Sequence, residues 1–248
     1  MQSKSFALDK QKVKFEDLGL LPYREVWDYQ ESLLQKNVQI KSAQLQSLRE
    51  GQNWDLSIDT FHTLLFCEHP PVYTLGKSGN IDNVLMSEAA LQKEGIDFYR
   101  TNRGGDITFH GPGQIVGYPI IDLEKFYTDI SRYLRELEEV IILTLADFGI
   151  IAGRSKGETG VWLDPDIAGK ERKICAMGVR CSRWITMHGF ALNVNTSLNY
   201  FGNIIPCGIV GKQVTSVQKE LGIEVDIDAV KNILKQKFEM VFGFELYY

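Results

Sequence analysis

Lys173-Ile174-Cys175-Ala176-Met177-Gly178-Val179-Arg180-Cys181-Ser182-Arg183-Trp184-Ile185-Thr186-Met187-His188-Gly189-Phe190-Ala191-Leu192-Asn193-Val194 reads as two extended runs, 173–181 and 185–194, meeting at a short break. A hairpin centred between Arg183 and Trp184 opposes Ala176 to Ala191 and Gly178 to Gly189. Side chains alternate between the faces of a strand, so these four small residues share one face. Met177, Val179, Phe190 and Leu192 take the other. A row without bulky side chains is expected to leave a narrow apolar slot suited to a linear aliphatic chain. The competing expectation is that another element packs close against the glycines. Lys173 has the wrong parity for the slot, and only a bulge or its place at the strand entrance brings its amine round.

Outward from the hairpin, the chain alternates between strands and a few helices without a regular βαβ rhythm. Phe61 to Cys67, Val72 to Gly76, Ile96 to Thr101, Val116 to Ile121 and Gly160 to Leu163 read as strands. Trp27, Gln30, Leu33 and Leu34 are spaced as on a helix, and 37–55 reads as its polar continuation or as a loop. Ser87 to Glu94 is a short capped helix. Asp129 to Phe148 carries Leu134, Leu137, Ile141 and Leu145 on one face, with Gly149 as its stop. Asp226 caps a last helix bearing Val230, Ile233, Leu234 and Phe238. The expected class is α+β, with mixed and antiparallel sheets flanked by helices. Residues 1–14 read as a flexible tail and 15–248 as one catalytic domain.

With 248 residues, 44% hydrophobic and 24% charged, the chain can build a substantial core. A net charge of −5 disfavours a general nucleic-acid binder. Cys67, Cys175, Cys181 and Cys207 form no CxxC pair, and His188 adds no HExxH spacing, so a metal centre is not expected. Met1 to Lys14 lacks the apolar core of a signal peptide, and no apolar run is long enough to span a bilayer. A cytoplasmic enzyme without membrane association is the simplest expectation.

Two further segments carry chemistry. Arg103-Gly104-Gly105-Asp106-Ile107-Thr108-Phe109-His110-Gly111-Pro112-Gly113-Gln114 is a glycine-rich loop whose backbone amides, with Arg103, Thr108, His110 and Gln114, offer directed donors. It matches neither GxGxxG nor GxxxxGK[ST], so nucleotide binding by those routes is unsupported. Cys207, in Ile205-Pro206-Cys207-Gly208-Ile209, lies at a tight turn. Its thiol, with a reference pKa of about 8.5, needs a nearby amine such as Lys173 to act as a nucleophile. No GxSxG elbow supports a serine triad.

Taken together, these segments resemble the lipoyl(octanoyl) transferase family from about Leu18 to Phe242. The resemblance rests on His69-Pro70-Pro71-Val72-Tyr73-Thr74-Leu75-Gly76, Arg103 to Gln114, Lys173 to Arg180, His188 to Asn193, and Pro206-Cys207-Gly208. It implies a fold like the catalytic domain of biotin and lipoate protein ligases. It also implies an acyltransferase activity: transfer of octanoyl from octanoyl–acyl carrier protein to a lysine of lipoyl domains, in lipoate biosynthesis. The implied acceptors are the E2 subunits of 2-oxoacid dehydrogenases and the glycine cleavage H protein. By position, Cys207 matches the acyl-thioester nucleophile and Lys173 the lysine that tunes it. Arg103 to His110, Ala176-Met177-Gly178 and Gly189-Phe190-Ala191 match substrate contacts. No cofactor is implied. The tail and the polar stretch 41–55 depart from the family pattern.

In the mechanism this implies, Lys173 manages the Cys207 proton while amides near Gly208 or the Gly104–Gly105 loop stabilise the oxyanion. An ATP-dependent lipoate or biotin ligase on the same fold is the main alternative, and a non-catalytic binder of acyl chains or acyl carrier protein is the third. Neither needs a nucleophilic cysteine.

Overall fold

The hairpin forms in the expected register. In this computed structural model, which describes residues 10–55, 57–205 and 213–248, Ala176 pairs with Ala191 and Gly178 with Gly189. Arg183 and Trp184 form the turn at φ 50° and 66°. That left-handed pair is the backbone a two-residue hairpin needs, though asparagine and glycine usually supply it. Tertiary contacts hold it here: Arg183 donates to Ser42 Oγ, and the Trp184 carbonyl accepts from Leu123 N–H.

Along the chain the strands are β1 (Lys12–Leu20), β2 (His62–Glu68), β3 (Val72–Leu75), β4 (Asp97–Arg100), β5 (Ile107–His110), β6 (Gln114–Ile120), β7 (Val161–Leu163), β8 (Arg172–Ser182), β9 (Ile185–Asn193), β10 (Gln213–Val214) and β11 (Glu245–Tyr247). The helices are α1 (Tyr23–Arg49), α2 (Glu88–Lys93), α3 (Ile130–Asp147), α4 (Val217–Leu221) and α5 (Ile227–Phe242). One mixed sheet runs β10-β8-β9-β6-β2-β1-β11, with β7 added to β8. A smaller sheet runs β4-β3-β5. Helices flank the sheets as the α+β reading expected.

Alternation along the strands sorts the core onto two faces. Phe66, Ile115, Phe190 and Leu192 pack with Leu137, Ile141 and Leu145 of α3 and Leu234 and Phe238 of α5. On the opposite face, Leu65, Val116, Tyr118, Met187 and Ala191 meet Val26, Leu33 and Leu34 of α1. Asp129 and Asp226 cap α3 and α5 with their side chains, and Ser87 caps α2, at the expected positions.

Two boundaries differ from the sequence reading. The expected tail 1–14 ends early: β1 begins at Lys12, pairs with β2 and β11, and buries Val13 and Phe15. Its alternation Val13, Phe15 is masked by the charged residues between them. The polar stretch near 41–55 is largely helical, because α1 continues to Arg49 and Lys41 reaches Asp122 at 2.8 Å and Glu124 at 2.7 Å. Among the described residues no helix is long and apolar enough to cross a membrane.

Candidate active site

A cavity of about 440 Å³ lies against the small-residue face of the hairpin. Ala176 and Ala191 face one another across β8 and β9, and Val116 of β6 continues the row beside Ala191. All three line the cavity, with Tyr23 of α1 and Tyr118 of β6 contributing larger walls. The side chains of the apolar slot's floor are thus two alanines and a valine, and Gly178 and Gly189 also line the cavity.

The glycines have a different physical reason. A Cβ on Gly178 would stand 2.6 Å from the Gly104 carbonyl oxygen, and one on Gly189 would stand 2.2 Å from that of Gly117. Both distances are far inside contact, so close backbone packing excludes a side chain at each position. At these rungs the 103–106 loop and β6 approach the strand backbone closely, so the glycines serve that packing as well as lining the cavity.

Lys173 reaches the cavity through a bulge. Trp162 pairs with Lys173 and Val161 with Cys175, leaving Ile174 as the extra residue of β8. Ile174 and Cys175 both pack into the α3–α5 core, so the alternation is reset and Lys173 falls on the Ala176 face. Its ammonium stands 4.5 Å from the centre of the buried Trp162 ring. Val214 of β10 pairs with Lys173 on the other side and also lines the cavity. Cys207 lies outside the described residues.

The glycine-rich loop turns its donors inward. Arg103, buried, donates to the Thr74 carbonyl at 2.6 Å, the Thr74 hydroxyl at 3.0 Å, the Asp106 carbonyl at 2.8 Å and the Gly104 carbonyl at 3.0 Å. Thr74 Oγ lies 3.3 Å from His110 Nε2, and His110 Nδ1 lies 2.8 Å from Gln114 Oε1. An amide oxygen only accepts, so His110 carries its proton on Nδ1 and accepts from Thr74. Gln114 then donates to Asn193 Oδ1 at 2.9 Å, and Asn193 to the Thr215 carbonyl at 3.0 Å. One polar chain therefore runs from the loop to the residue following β10. Gly104 N–H donates to the Val179 carbonyl at 2.9 Å, which removes it from the expected oxyanion donors.

Burial governs the titrating groups. His110 is held well below its ordinary range by desolvation, with His69 and Arg103 adding to the effect. His188 is pushed down to about 3 by burial, then by Arg103 and Arg180. His69, pushed down to about 4 by burial, lies 2.8 Å from the Tyr118 hydroxyl through Nε2 and 2.7 Å from the Leu21 carbonyl through Nδ1. Burial raises the thiols of Cys67 and Cys175, which suits packing rather than nucleophilic chemistry. Among the described residues no group of three His, Cys, Asp or Glu side chains is placed to hold a metal ion.

Of the residues singled out in the sequence, Arg103, Gly105, Asp106, Ile107, Thr108, His110, Gln114, Lys173, Ala176, Met177, Gly178, His188, Gly189, Phe190 and Ala191 line this one cavity. Gly104 and Phe109 are not among the lining residues. Phe109 points into the small-sheet core, stacked on Tyr200 at 4.4 Å between ring centres, because β5 alternates and Thr108 takes the cavity side. The sequence reading did not place Tyr23, Val116, Tyr118, Thr74 or Trp162 at the site. The one available signal was Val116, which joins the alanine row once β6 is known to pair with β9.

The family described as the lipoyl protein ligase A/B catalytic domain matches residues 22–239. The octanoyltransferase of Flavobacterium johnsoniae is 56% identical over 236 residues, covering 95% of this chain and 98% of that protein. The octanoyltransferase of Christiangramia forsetii is 55% identical, covering 96% and 98%. Among solved structures, a chain of the bipartite lipoate protein ligase system of Thermoplasma acidophilum aligns with a TM-score of 0.65 at 16% identity, covering 97% of this chain and 86% of that one. A lipoate-protein ligase A bound with ATP aligns with a TM-score of 0.64 at 17% identity, covering 96% and 87%. These two likenesses concern the fold alone. The chain belongs to the lipoyl protein ligase A/B catalytic domain family, alongside relatives that bear the name octanoyltransferase.

Proposed function

We propose that this protein is an acyltransferase that moves an octanoyl group from octanoyl–acyl carrier protein to a lysine of a lipoyl domain. Residues 12–248 act as a single catalytic domain in the cytoplasm, and the acceptors are lipoyl domains of 2-oxoacid dehydrogenase E2 subunits and the glycine cleavage H protein. The observation that carries the reading is the Ala176–Ala191–Val116 row beside Lys173: an apolar slot with an amine in its wall. A saturated chain gains about 0.8 kcal/mol per buried methylene in such a slot, while its reacting carbonyl stays at the polar end.

Cys207 is the proposed nucleophile. Its thiolate attacks the thioester carbon, forming one C–S bond. Collapse of the tetrahedral intermediate breaks the bond to the phosphopantetheine sulfur, which takes a proton from Lys173. The neutral amine of the acceptor lysine then attacks octanoyl-Cys207, a C–N bond forms, and the Cys207 sulfur leaves. The proton lost by the amine returns to the Lys173–Cys207 pair. A thioester becomes an amide, so no ATP is consumed.

The test is transfer from octanoyl–acyl carrier protein to an apo lipoyl domain in the absence of nucleotide. Transfer with ping-pong kinetics supports the reading. Modification of the domain by free octanoate only when ATP is supplied contradicts it and favours a ligase. Tight binding of octanoyl–acyl carrier protein without turnover favours a non-catalytic acyl binder.

A further inference from the structure

His188 is an expensive residue in its place. Its backbone has φ 57°, a left-handed conformation that is uncommon outside glycine, although histidine, like asparagine and aspartate, tolerates it better than most L side chains. Its ring is buried, and Nδ1 has no hydrogen-bond partner among the described residues. Glycine would avoid both penalties and keep the strand, so the fold of β9 does not account for the imidazole.

The residue lines the cavity, and its ring reaches the loop. Nε2 lies 2.7 Å from Asn102 Oδ1, an acceptor, so Nε2 carries the proton and donates. The left-handed backbone sets the ring against Trp27 of α1, and the His188 N–H donates to Gln30 Oε1 at 3.0 Å. His188 pairs with Val179 across the hairpin, and the Val179 carbonyl accepts from Gly104 N–H. The same rung of the hairpin therefore grips the loop on both sides of Arg103, at Asn102 and at Gly104. Gly178, next along β8, gives the Gly104 carbonyl the space to approach.

We propose that His188 is a positioning residue: through Asn102 it latches the 102–106 loop onto the hairpin and so fixes the loop side of the acyl-transfer cavity. This deepens the octanoyl-transfer reading and rests on it for its consequence in turnover, but the latch itself is measurable without turnover. Strain and an unpartnered ring nitrogen are retained because the bond to Asn102 holds Arg103, Gly105 and Asp106 in the cavity wall.

The test uses His188→Gly, Asn102→Ala and the double variant in the full-length protein. Asn102→Ala leaves β9 untouched and keeps the experiment readable if His188→Gly folds poorly. Hydrogen exchange of the 102–106 amides is expected to quicken about tenfold in each single variant, the effect of losing one buried hydrogen bond. The double variant should be no faster than either single, and the melting temperature should fall by no more than several degrees, as expected for one lost buried hydrogen bond. In octanoyl transfer, KM for octanoyl–acyl carrier protein should rise in the same three variants more than kcat falls. Unchanged exchange in Asn102→Ala, or effects that multiply in the double variant, overturns the latch. A wild-type protein that shows no transfer while the exchange results hold overturns the functional reading and leaves the latch standing.

Discussion

Lys173 shows how much can depend on a single residue of register. A regular β8 aims its amine away from the slot; the extra residue at Ile174 turns it back, and Trp162 lies under its ammonium. Replacing Lys173 with Ala is expected to slow octanoyl-enzyme formation by about 10²- to 10⁴-fold, the usual range for a lost general acid–base. Rapid-quench mass spectrometry measures that step, and an unchanged rate removes Lys173 from proton transfer. Arg103 has a structural part to play at the same scale. Its planar fork serves two residues of the loop and one of β3, which a lysine's single nitrogen cannot do. Arg103→Lys should lower unfolding free energy by about 2–4 kcal/mol in urea titrations; a change within about 0.5 kcal/mol contradicts that role. The sequence marked both residues, but it did not distinguish a donor aimed at ligand from one consumed by the loop. That distinction depends on Thr74, which no local pattern links to Arg103.

Among the elements, the β8–β9 hairpin was readable to the residue, since alternation and the position of the small residues fix the register together. Its turn was not a guide, because Arg183-Trp184 lacks the usual turn chemistry and is held by Ser42 and Leu123 from elsewhere in the chain. The meaning of the glycines was also hidden: a missing side chain looks the same in sequence whether it leaves space or admits a neighbour. Gly178→Ala separates the two. A methyl group 2.6 Å from the Gly104 carbonyl must displace the loop, so KM for the acyl donor should rise at least several-fold while far-ultraviolet circular dichroism is unchanged. Wild-type kinetics in that variant show that the loop does not need its close seat on β8. Strand β1 escaped notice for a simpler reason: only Val13 and Phe15 of its first half are buried, between charged neighbours.

Across the whole molecule, all four histidines are buried and held neutral. His62 and His69 are pushed down to about 4 and His188 to about 3 by desolvation, with His110 shifted the same way. An unfolded histidine takes its proton near pH 6.5, about where the native ones still refuse it. The unfolded state therefore binds more protons as pH falls from about 6.5 towards 4, and native stability declines across that window, by up to about 1.4 kcal/mol per pH unit for each group. Above about 6.5 the contribution is fully present. The urea midpoint should fall clearly between pH 7.5 and pH 5, and equal midpoints contradict the burial described. The central claim, acyl transfer through Cys207, meets its most direct test in intact-protein mass spectrometry after mixing with octanoyl–acyl carrier protein without ATP. One octanoyl adduct, mapped to the peptide bearing Cys207 and discharged by an apo lipoyl domain, is the expected result. A protein that takes up no adduct yet octanoylates the domain when ATP and octanoate are supplied contradicts it.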